Sequence, residues 1–276
     1  MRWSKAFVLL FLAGPVWAAE GYIIGIGAEA DNVDGAAASI SGELGVTKTT
    51  WLSSAIAKSS IDLPRGISID TVYADIGIDH WFDPFGIRAT VAYWGDSDIL
   101  DSNDFRGALY WRNDKLSLST KFEYRDFSFD VFRDDLRPGQ DARFHATGVG
   151  LSGRFELSES VDLNVSGIDY NYSVDLRIDA NRPILDFVSV SRLSLINSLI
   201  DYRVRAGLGV DVGNQRWSLD LATWKGEVDG GKTDSATLRL LTPMGKKSDI
   251  EFGLGVDKSR EYGSATVFSV YLYFYG

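Results

Sequence analysis

Two histidines, no cysteines, 28 lysines and arginines and 38 aspartates and glutamates set the chemistry open to this 276-residue chain. A cysteine nucleophile and a disulfide are excluded outright, and two histidines leave little for a multi-histidine metal centre. One constellation has the residue types for ester hydrolysis. His145 and Thr147 stand two apart, and if their segment pairs with the next around a turn at Ser158 to Ser160, Asp169 and Asn171 come opposite them. A histidine oriented by such a partner can draw the proton from a hydroxyl nucleophile. A polar rim accounts for the same four residues without chemistry, so the sequence yields no catalytic residues, no metal site, no cofactor and no enzyme.

A second set of residues could act on ions rather than on bonds. Lys121, Glu123 and Arg125 alternate with apolar neighbours, as do Asp201, Arg203, Arg205 and Asp211, and Arg88, Arg106, Arg154, Arg239 and Glu251 fall on matching positions of other segments. An isolated charge in a dry interior costs several kcal/mol, so this many must be hydrated or mutually paired. Rings of such side chains set the potential that admits one ion sign over the other.

The elements that position them follow from the period of the hydrophobic pattern. In KLSLSTKFEYR from Lys115, Leu116, Leu118, Thr120, Phe122 and Tyr124 take one parity, and Lys115, Ser117, Ser119, Lys121, Glu123 and Arg125 the other. Side chains of a strand alternate between faces, so the segment has one greasy and one polar face. Ile200 to Asp211 and Ile250 to Asp257 repeat the split. Many segments reach about 9 to 11 residues, the length a tilted strand needs to cross a bilayer and longer than a sandwich strand. Tryptophans near segment ends, at 51, 81, 94, 111, 217 and 224, suit an interfacial girdle.

The pattern predicts an all-β, transmembrane, antiparallel up-and-down barrel of about fourteen strands. Weak patterning over Gly35 to Ser68 and Pro183 to Asn197 leaves twelve or sixteen open. Turns after even strands are short, as at Asp83 to Gly86 and Gly213 to Arg216. The longer external loops are expected after odd strands, at Gly95 to Asn103, Ser128 to Ala142 and Arg177 to Asn197. Residues 1–19 read as a cleaved signal peptide, with Arg2 and Lys5 before an apolar stretch too short to span a membrane and Ala18-Ala19 before Glu20. Residues 20–276 form the single barrel domain. Asp96 to Asp104 offers four aspartates and an asparagine, hard ligands suited to calcium, but without the spacing of an EF-hand loop. It reads as a solvated acidic loop, with divalent ions bridging to lipopolysaccharide as the alternative. The net charge of −10 argues against nucleic acid as a partner.

The chain resembles the bacterial outer-membrane β-barrel class. Val270, Leu272 and Phe274 alternate in FSVYLYFYG as in the aromatic-ended last strand of that class, although Tyr275 and Gly276 follow. The resemblance implies outer-membrane localisation, lipid and lipopolysaccharide as surroundings, and the barrel-assembly machinery as a partner for the last strand. His145, Thr147 and Asn171 are loosely similar to the outer-membrane phospholipase arrangement, with threonine at the serine position. The leading expectation is a water-filled, mixed-charge channel for small hydrophilic solutes. Its alternatives are a non-conducting barrel with a charge-paired lumen and a lipid hydrolase using His145 and Thr147. Tyr73, Tyr110, Tyr271 and Tyr273 share the inward parity, as sugar-stacking platforms or as filler.

Overall fold

A computed structural model describes residues 20–63, 67–96, 100–130, 141–173, 199–227, 230–259 and 263–276. The expected signal peptide, the loop over 177–197 and the weakly patterned stretch 183–197 lie outside the described residues. The strands are β1 (Gly21–Asp31), β2 (Gly35–Thr47), β3 (Thr50–Leu63), β4 (Ile67–Phe82), β5 (Phe85–Asp96), β6 (Leu100–Arg112) and β7 (Leu116–Asp130). They continue as β8 (Asp141–Ser158), β9 (Val161–Tyr172), β10 (Ile200–Val212), β11 (Gln215–Gly226), β12 (Lys232–Pro243), β13 (Ser248–Ser259) and β14 (Gly263–Tyr275).

Each strand pairs antiparallel with its chain neighbours, and β14 closes the ring on β1, with Ile23 opposite Tyr275 and Asp31 opposite Val267. Closure satisfies the backbone N–H and C=O groups that a free edge would leave open, which is the condition for crossing lipid with strands. Fourteen strands therefore make the ring, and twelve and sixteen are excluded. The stretch Gly35 to Ser68, where alternation fades, forms β2, β3 and the start of β4. It reads weakly because both faces of β2 carry small residues: Ala36 and Ala38 share a face with Ile40, and Ala37, Ser39 and Ser41 lie on the other.

Contacts between strands that are not neighbours identify the concave face. Tyr110 of β6 reaches Asp79 of β4, and Tyr170 of β9 reaches Glu123 of β7, each pair skipping one strand, which only the inside of a closed sheet allows. The opposite parity carries Ile40, Leu109, Leu118, Phe122, Leu151, Leu208, Leu238, Phe252 and Leu254, all exposed. An apolar exterior band of this kind is stable against hydrocarbon and not against water.

The six even-to-odd connections are short, such as Asp83-Pro84 and Gly213-Asn214, where Gly213 takes a positive φ of 61° that a side chain would resist. This is the short-turn end, and both β1 and β14 end there. At the other rim the connections after β7 and β9 are the two long ones, and those after β1, β3, β5 and β13 are three residues each. The expected external loop Gly95 to Asn103 is a correction: β5 runs to Asp96 and β6 starts at Leu100, with Gly95 opposite Asp101. Strong cross-strand pairing extends both strands through residues whose acidity reads as loop.

The tryptophan girdle needs a second correction. Trp111 and Trp217 face outward, but Trp51, Trp81, Trp94 and Trp224 take the inward parity, opposite Gly45, Gly86, Ser102 and Arg203 respectively. The outward band at the short-turn end is built instead from Tyr22, Phe82, Phe85, Trp111, Phe155, Trp217 and Phe274, all at or near strand ends and, Trp111 apart, all exposed. Position near a strand end does not fix the face; parity does.

Candidate functional site

The inward face changes character along the barrel axis. At the short-turn end the charges are paired, with Arg88 and Arg154 exposed and Asp162 buried. The Arg88 Nε–H donates to Asp79 at 2.8 Å, and Tyr110 donates to the other oxygen of Asp79 at 2.5 Å. Arg154 sits 3.4 Å from Asp162, and Arg216 joins Asp162 to Asp211, bonding the latter at 3.0 Å. Arg112 stacks on the Trp81 ring with its guanidinium carbon 4.0 Å from the centroid.

Midway, Arg239 bonds Asp220 at 2.9 Å and lies 3.9 Å from Glu251. Arg106 bonds Asp104 at 2.8 Å and donates to the Tyr73 hydroxyl at 3.1 Å, while Tyr73 donates to Asp75 at 2.5 Å. Glu123 accepts from Tyr170 at 2.6 Å. Lys121, Arg203 and Arg205 share this level.

Toward the opposite rim the inward face turns apolar and buried from β5 to β11, while β3, β4 and β13 keep the buried polar side chains Ser59, Thr71 and Asp257 there. Arg125 shares Asp104 with Arg106, its Nε 3.3 Å from the carboxylate, and its guanidinium lies 4.7 Å over the Phe127 ring. Phe127 stacks on Phe144 at 4.8 Å, and Trp94, Leu100, Ala146, Ile168, Leu199, Ile200 and Trp224 join them in one buried cluster. The sequence holds the signal for this layer, because Phe127 has the same parity as Lys121, Glu123 and Arg125. It is missed when the whole inward face is read as polar.

Of the twelve charges read as lining, eleven lie on the inward parity: Arg88, Arg106, Lys121, Glu123, Arg125, Arg154, Arg203, Arg205, Asp211, Arg239 and Glu251. Asp201 stands at an irregularity of the strand. The register shifts between Ile200 and Tyr202, so the alternation breaks at Asp201, which forms an ion pair with Lys225 near the long-loop rim. A one-residue bulge re-aims the side chain it inserts. Arg216, which reads as part of a turn, belongs to β11 and holds two carboxylates.

The inward tyrosines are wall rather than platforms. The Tyr271 ring covers Gly27 and the Tyr110 ring covers Gly86, so that a Cβ at either glycine would collide with the ring. Their hydroxyls are committed to Glu29 and Asp79. Glycine is required at these two positions for close approach, and the ring restores the packing that glycine forgoes.

The expected hydrolytic group is outward, near the long-loop rim, with Thr147 opposite Asn171 and Val149 opposite Asp169. The His145 ring stacks on Tyr124 at 5.6 Å, and among the described residues no hydrogen bond joins His145 to Thr147 or Asn171. In the acidic run, Asp104 lies within β6 and its oxygens are held by Arg106 and Arg125, which leaves it no role as a calcium ligand.

No family model matches the chain, and no curated protein matches it in sequence. Solved structures match the fold. The CymD monoaromatic hydrocarbon channel aligns with a TM-score of 0.59 at 9% identity, over 94% of this chain and 89% of that one. OmpTdeltaL8, a loop L8 deletion mutant of OmpT, an outer membrane protein of Vibrio cholerae, aligns at 0.52 and 8% identity over 94% and 100%. At these identities the likeness is one of architecture, the closed porin-like barrel.

Proposed function

We propose that this chain is a bacterial outer-membrane channel that passes small hydrophilic solutes through a mixed-charge lumen. The observation that carries the reading is the combination of an apolar exterior with an inward face rich in charged side chains, most of them in ion pairs, in a ring of fourteen strands. A ring of about eight strands is filled by its own side chains, and a wider one leaves space. The neighbours of like architecture include a protein described as a channel, which supports the same class of function.

In this reading residues 1–19 are removed on export, and the short-turn end faces the periplasm. Lipid and lipopolysaccharide surround the apolar band. Val270, Leu272 and Phe274, outward on β14, are the surface presented to the assembly machinery. Liposomes containing the purified protein should swell in small sugars and amino acids, at rates that fall with solute size. Protein-free rates in correctly folded samples would overturn the channel.

A second reading draws on one specific observation, the dry Arg125–Asp104 pair and the aromatic layer around it. If that layer seals the lumen, the barrel is structural and conducts nothing, and the same swelling assay separates the two. A lipid hydrolase would instead need His145 to hold the Thr147 hydroxyl, and turnover of phospholipid lost in both His145→Ala and Thr147→Ala would be its signature.

A further inference from the structure

We propose that Lys121, Arg203 and Arg205 form an oxyanion-binding site in the middle of the lumen, which takes the carboxylate or phosphate group of a passing solute. The inference rests on the reading of this barrel as a solute conduit and names the class of solute it selects. Its ground is an imbalance. Arg88, Arg106, Arg125, Arg154, Arg216 and Arg239 each hold a carboxylate, and Arg112 holds an indole ring. Lys121, Arg203 and Arg205 have no carboxylate within ion-pair distance among the described residues, and Nη1 of Arg203 is buried with no hydrogen-bond acceptor. The nearest acid on the same strand, Glu123, is within electrostatic range of Lys121 but is taken by the Tyr170 hydroxyl, and Asp220 is taken by Arg239.

The three cations lie on one inward face, Lys121 and Arg203 at the two ends of one cross-strand row and Arg205 at the end of the next, with β8 and β9 between them. Their charges act on one another, Lys121 with Arg203 and Arg205, and Arg205 with Arg203. The register shows what lies between. One row runs Lys121, Gly150, Ile168, Arg203, and the next runs Ser119, Ser152, Ser166, Arg205. The floor between the cationic flanks is therefore Gly150 and the buried Ile168 in one row and Ser152 and Ser166 in the next, and the two serines supply hydroxyl donors.

Like charges brought together in a partly desolvated wall repel unless an anion or water lies among them. Guanidinium groups offer paired N–H donors that match the oxygens of a carboxylate or phosphate, and ammonium adds a point charge. An acidic chain thus carries a basic station where a solute must pass.

The test is calorimetric titration of the detergent-folded, full mature chain with inorganic phosphate and, separately, acetate at low ionic strength. Binding is read without conduction, so it stands or falls apart from the channel reading. The expected result is one saturable site for phosphate. Its affinity should fall about tenfold in each of Arg203→Gln, Arg205→Gln and Lys121→Gln, recover in Arg205→Lys, and stay unchanged in Lys58→Gln on the outer face. Acetate competing with phosphate would extend the site to carboxylates. Folding of each variant is checked by its unheated electrophoretic mobility. No saturable phosphate binding in the wild type, or binding indifferent to all three substitutions, would overturn the site even if the protein conducts.

Discussion

At the short-turn end Arg88 and Arg154 keep 63% and 57% of their side-chain surface accessible, whereas at the other end of the lumen Arg125 keeps 1% and its partner Asp104 none. Both regions are built of arginine–carboxylate pairs on the same parity of the same barrel. What differs is the company. Arg88 has Asp79 and water, while Arg125 has the Phe127 ring and an aromatic cluster above it. A wet pair is worth little because water already solvates both partners, and a dry pair is held in place by the cost of leaving either one alone. The same ion pair is therefore a replaceable lining at one end and a structural joint at the other.

The largest expected effect lies at the joint. Asp104→Ala removes the carboxylate shared by Arg106 and Arg125 and should lower stability by about 3 to 5 kcal/mol, read from chemical unfolding in detergent or lipid. A loss under about 1 kcal/mol would mean that this end is as wet as the other, and the contrast would vanish.

Next in size is the outer face, which sharpens the contrast between lumen and lipid. Leu254 is the seventh of the twelve residues of β13, midway along the strand. Leu254→Arg should cost about 2 to 4 kcal/mol of membrane folding stability, and Leu118→Arg, near the short-turn rim, about 0 to 1. Ser119→Arg, on the lumen parity, should fold normally. Equal losses at Leu254 and at Ser119 would assign the faces the wrong way round.

The smallest effect belongs to the wet end. Arg88→Gln should change stability by less than about 1 kcal/mol, since its pair with Asp79 is exposed. Its effect should appear in ion selectivity instead, as a shift of reversal potential toward cations in a salt gradient.

Much of the barrel is legible in the sequence because a period of two is a local property. KLSLSTKFEYR predicts both the strand β7 and its two faces, and the expected count of about fourteen strands is met. What is not local is not legible. The register shift at Asp201 depends on how β10 meets β11, and nothing in IDYRV announces it. The inward turn of Trp94 and Trp224 is visible in their parity but is hidden by the habit of assigning tryptophan to an interface. That Lys121 and Arg203 end one cross-strand row and Arg205 the next depends on the register of three successive strand pairs, which no single segment encodes. Eleven of the lining charges can be read as inward from alternation alone, but the ion-pair partners of Arg88, Arg106, Arg125, Arg154, Asp211 and Arg239 cannot.

The proposed function requires this lumen to conduct past the aromatic layer that holds Phe127. Single-channel recording of the refolded mature chain in planar bilayers tests it most directly. The expected result is discrete conductance steps in potassium chloride, and larger steps in Phe127→Ala, which removes a ring from that layer without touching a charge. Silent bilayers with the wild type, in samples whose unheated mobility shows a folded barrel, would contradict the claim, all the more if Phe127→Ala were silent too.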